Sequence, residues 1–125
     1  MSAKQNRRLA RLWAWRLGLM AGAEDAAINI AESTQEMDNE ETLEYLHSLR
    51  GPGKEDWDSG ARNVYAHKID RVPTGYSDTY YEAYNLAADR VVKRQIKLTV
   101  KAIEAEALKA DDAVESEGAS HDRLD

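Results

Sequence analysis

Arg90, Arg94, Lys97 and Lys101 recur at spacings of four, three and four. On a helix that turns by roughly 100° per residue they fall along one line. Such a ridge of cations suits a row of phosphates or another anionic surface. Glu82, Asp89 and Glu104 border it, and no Asn or Gln is interleaved on that face to read base edges. A solvated outer helix face is the plainer alternative.

Catalytic chemistry has little to work with. The three histidines are His47, His67 and His121, and none forms a metal spacing such as His-Glu-x-x-His. Glu44-Tyr45-Leu46-His47 matches one Glu-x-x-His of the di-metal bundles, and Glu32/Glu36 and Glu40/Glu44 supply carboxylate pairs. The second Glu-x-x-His that such a centre needs is missing. With no Cys, thiolate catalysis, cysteine metal sites and disulfides are excluded together. Serine-nucleophile and glycine-rich phosphate motifs are also absent. The expectation is a protein that is not an enzyme and carries no metal or other cofactor.

The aromatic residues point to contacts. The chain has no Phe, so three Trp and six Tyr supply all its rings. Each has a polar handle and suits a surface that is half apolar and half wet. Tyr76, Tyr80 and Tyr84 stack at i,i+4, and Leu12, Trp13, Trp15 and Leu19 surround an early helix. These seven are the candidate protein-interface residues, because Tyr and Trp dominate binding hot spots. For the tyrosines, burial in the chain's own core is the competing reading. Ala10, Ala14, Gly18, Gly22 and Ala26 recur every four residues, a spacing that lets another helix approach closely.

The elements that would position these residues read as helices. From Ser77 to Ala110 there is no Gly or Pro, and apolar positions from Tyr80 to Ile103 share one arc. That helix would reach about 50 Å. A compact chain of this size has a diameter of only ~36 Å. The helix must overhang its own core, bend, or pack against another molecule. Upstream, the pattern gives helices at about 3–22 and 24–37, with Gly22 as the kink or break between them. A third follows with Asn39 as its N-cap, and Gly51-Pro52-Gly53 stops it. A fourth opens at Trp57 and ends at Val72-Pro73-Thr74-Gly75. Ser77 or Thr79 then caps the long helix, the latter with Glu82 as a capping box.

The fold class predicted is therefore all-α, four or five helices with a long C-terminal helix at about 77–110. Residues 1–110 form a single helical domain, and residues 111–125 a short, disordered acidic tail. At 42% hydrophobic the chain holds enough apolar mass for a core. A net charge of −6 disfavours a general nucleic-acid binder. The charge is blocked: Lys4, Arg7, Arg8, Arg11 and Arg16 come with no acid before Glu24, whereas residues 24–48 hold eight acids and no Lys or Arg. Antiparallel packing would pair such blocks. Arg16 interrupts the apolar stretch after the first cations, which argues against a signal peptide, and the stretch is too short for a transmembrane segment. A soluble, intracellular, cytoplasmic protein is expected.

The function these features favour is non-enzymatic: a helical interaction or assembly protein that self-associates into a homo-oligomer through the Trp-rich first helix and the Tyr-bearing face of the last. A small acidic accessory or inhibitor protein fits the same composition. The runner-up is a nucleic-acid-associated protein using the Arg90–Lys101 ridge.

Overall fold

Ser2 opens the first helix. Its hydroxyl accepts from the Gln5 N–H at 3.2 Å, and the Gln5 side chain accepts from the Ser2 N–H at 2.9 Å. This reciprocal capping box satisfies two amide donors that have no partner inside the helix. In the computed structural model, which describes residues 2–50 and 71–124 and side chains as far as Asp112, helix α1 then runs Ala3–Ser33 without a break. It closes at Thr34, whose N–H and hydroxyl both return to the Ile30 carbonyl.

The two helices expected at 3–22 and 24–37 are thus one. Gly22 is helical and buried. A glycine inside a helix costs about 1 kcal/mol relative to alanine, and here close approach of a neighbour offsets it. A Cβ at Gly22 would collide with the backbone of Tyr84, and one at Gly18 would collide with Tyr80 and Ala83.

Helix α2 spans Asn39–Ser48. Its cap is Asp38, one residue before the expected Asn39, and the carboxylate accepts from the Glu41 N–H at 2.8 Å. Asn39 instead donates its side-chain amide to Glu106 at 2.7 Å. The expected fourth helix, with Trp57, lies outside the described residues.

Helix α3 spans Ser77–Leu124. Pro73 and Gly75 make the turn before it, Gly75 at φ 91°, where only glycine is unstrained. The Tyr76 carbonyl accepts the first helical bond from Tyr80. Ser77 is the first helical residue and Thr79 lies within the helix, so neither stands in the flanking position that a side-chain cap requires. At 48 residues the helix extends about 72 Å. The backbone stays helical beyond the Ala110 boundary drawn from sequence. Ala- and Glu-rich residues without Pro offer no stop there, and the single Gly118 does not break it. Among the described residues the fold is all-helical, with three helices.

The pairing is parallel where charge blocks suggested antiparallel. Gly18 meets Tyr80, Gly22 meets Tyr84, and Ile30 packs with Val92, so numbers rise together along α1 and α3. The small residues decide this. Ala14, Gly18, Gly22 and Ala26 are buried on α1, and Ala83, Ala87 and Ala88 on α3. Together they let two backbones touch, which loose charge pairing cannot outweigh. Helix α2 returns antiparallel to α3. Its Asn39 reaches Glu106, its Leu46 joins Ile30 and Val92, and Arg50 beyond its end meets Asp89 at 3.5 Å.

Candidate interaction surfaces

The expected interface residues divide between core and surface. Tyr80 and Tyr84 are 0% exposed. They pack with Ala21 and, more loosely, with Leu17, Val72 and Tyr81. Their rings sit 6.3 Å apart, and Tyr81 approaches Tyr80 edge-on at 5.3 Å. This close packing inside the protomer takes both rings away from any partner. Tyr76, at the head of α3, is half-buried. On the Tyr-bearing face of the last helix, Tyr80 and Tyr84 are therefore core.

Beside that core lies a polar group that helical periodicity left unremarked. Asp25 is buried, only 3% exposed, and accepts from the Asn29 side-chain amide at 2.9 Å. The sequence offered no better signal than an acid on the same face as Ala21 and Gly22. The Tyr80 hydroxyl is buried without a hydrogen-bond partner among the described residues. Burial first, then Tyr81 and the Asp25 charge, pushes the Tyr80 pKa up to about 12. Tyr80 is thus held as the neutral phenol.

The first half of α1 is different. Leu9, Leu12, Trp13 and Met20 remain 49%, 48%, 52% and 69% exposed. Trp15 and Leu19 are half-buried on the flank. Helical geometry explains the split: Ala14, Gly18, Ala21 and Gly22 turn toward α3 with Leu17 beside them, and Leu9, Trp13 and Met20 turn away. Lys4, Arg7, Arg8, Arg11 and Arg16 are interspersed, and all are exposed. Arg8, Arg11, Leu12 and Trp15 of α1 and Thr79 and Glu82 of α3 line a groove of about 580 Å³.

On α3, Arg90, Arg94, Lys97 and Lys101 are all exposed, on the side away from Val92 and Thr99. Asp89 at the ridge's edge holds Lys93 at 3.0 Å as well as Arg50. Helix α2 meets α3 through Leu46, and Arg50 just beyond its end meets Asp89. Glu40, Glu44 and His47 are exposed on α2. Among the described residues no group of three or more His, Asp or Glu is gathered as a metal site would need, and no helix is long and apolar enough to cross a membrane.

No family model matches the chain, and no curated protein or solved structure is similar enough to it to bear on function.

Proposed function

We propose that this is a non-enzymatic helical assembly protein that associates with further copies of itself through the first half of α1. The observation that carries this reading is the row of large apolar groups left in solvent there: Leu9, Leu12, Trp13 and Met20. Scattered exposed apolar residues are ordinary, but a tryptophan and three long apolar side chains on about three turns of one helix form a patch. Aromatic groups with arginines around them are the composition of an interface centre. The tyrosines of α3 serve this surface indirectly, by fixing α1 against α3. Changing Leu12→Ser together with Trp13→Ser tests the proposal. Both side chains are about half exposed, so the circular dichroism spectrum should hold while the native mass drops to a single chain of 14.1 kDa. An unchanged oligomer in that double variant would contradict it.

A second reading keeps support from one observation: all four ridge cations of α3 are exposed and aligned. Binding of a labelled duplex that weakens steeply with salt, and is lost in Lys97→Glu/Lys101→Glu, would favour nucleic-acid association. The self-association reading expects no such binding, and expects that variant to keep its oligomeric mass.

A further inference from the structure

The groove at the head of the molecule and the overhanging end of α3 complement one another. At the head, Leu12 and Trp15 of α1 line the groove with Arg8 and Arg11, and Thr79 and Glu82 line it from α3. Among the described residues, two guanidiniums and one carboxylate therefore line it. At the far end, every residue from Glu104 to Asp112 is exposed, and Leu108 stands 65% in solvent. Glu104, Asp111 and Asp112 lie at i−4, i+3 and i+4 from Leu108, so one leucine is ringed by three acids on a single face. A helical end with no apolar cover contributes little stability on its own.

The two surfaces cannot meet within one chain. Glu82 and Leu108 belong to the same helix, and the residues between them span about 39 Å. Nor does the head pair well with another head. Residues before Glu24 carry five cations and no acid, so apposed α1 helices would repel.

We infer that the groove formed by Arg8, Arg11, Leu12 and Trp15 receives the Leu108 face of α3 from a second copy, with Asp111, Asp112 and Glu104 meeting the arginines. This rests on the self-association reading and gives a geometry to its Leu12 edge; Leu9, Trp13 and Met20 are not among the groove's lining residues. The contact is head to tail, so each copy offers one free groove and one free end. Such a heterologous interface closes into a ring or extends as a chain, and it does not stop at a two-fold dimer. Its rim pairs are exposed, so added salt weakens it.

Sedimentation velocity on four full-length samples tests this: the unmodified protein, Arg8→Glu/Arg11→Glu, Asp111→Lys/Asp112→Lys, and an equimolar mixture of the two variants. All four positions are exposed, so both variants should keep their helical spectra. Each variant alone should sediment as a 14.1 kDa monomer, because head and tail then carry the same sign. The mixture should recover at least a twofold larger species, because each acidic head finds a basic tail and each basic head an acidic one. If Asp111→Lys/Asp112→Lys keeps the parent mass, the head-to-tail contact is wrong while self-association through another face stands. A mixture that remains monomeric overturns the contact as well. If the unmodified protein is monomeric at low and high salt alike, both readings fall together.

Discussion

Tyr80 carries a hydroxyl into the space between α1 and α3 where no described group receives it. Removing that oxygen discards a desolvated polar group and leaves the ring packing intact. Tyr80→Phe should therefore be neutral at pH 7 or stabilising by up to about 1 kcal/mol, as read by denaturant titration. The alkaline side separates this effect from simple packing. The unfolded phenol ionises near pH 10, whereas the folded one holds its proton to about 12. Across that window the unfolded state binds fewer protons, so stability falls as pH rises, by up to about 3 kcal/mol from this group. The phenylalanine variant should lose that part of the alkaline decline, and an identical pH profile in both proteins would refute the assignment. Gly22 works in the opposite sense. An alanine there gains helix propensity but drives its Cβ into the Tyr84 backbone, which no rotamer change relieves. Gly22→Ala should destabilise by about 1–3 kcal/mol; a rise in melting temperature would show that the helices are not in this close contact.

The helices themselves were mostly legible. Ser77 onward reads as a long helix because nothing interrupts its apolar arc, and Gly75 and Pro73 mark its start by chemistry that admits few alternatives. Gly22 was misleading for a physical reason. Local propensity marks a glycine as a break, but its value here lies in what it lets approach, and that depends on Tyr84, far away in sequence. The small-residue spacing on α1 did announce a close helix contact, without saying whether the partner was internal. The parallel sense of α1 and α3 was illegible. Charge blocks are a weak guide to orientation, since exposed pairs contribute little, and the deciding contacts are backbone against backbone. The same logic separates the candidate sites. Trp13 and Tyr80 look alike on a helical projection, yet one is 52% and the other 0% exposed, because only the pairing register says which face meets α3. At this scale the cap of α2 is a direct check. Asp38→Ala removes the acceptor for the Glu41 N–H and should cost about 1 kcal/mol, with a local loss of amide protection at Glu41. Asn39→Ala should leave that protection unchanged, because Asn39 holds Glu106 rather than the helix end.

Among the described residues, two parallel helices joined by contacts between small residues leave Leu9, Leu12, Trp13 and Met20 of α1 outside. The close packing that buries Gly18 and Gly22 is the same geometry that turns Leu9, Trp13 and Met20 to solvent. Helix α3 outruns its cover, since Asn39 of α2 reaches Glu106 and the nine residues from Glu104 to Asp112 are all exposed. Among the described residues, an apolar patch on α1 and the end of α3 are both exposed, and the self-association proposed above would cover them. The native mass of the purified full chain, by light scattering after size exclusion at moderate salt, tests this most directly. A species at a multiple of 14.1 kDa, growing with protein concentration, is the predicted result. A sharp 14.1 kDa peak at every concentration would contradict it, because Leu12 and Trp13 would then stand in water with no second copy to cover them.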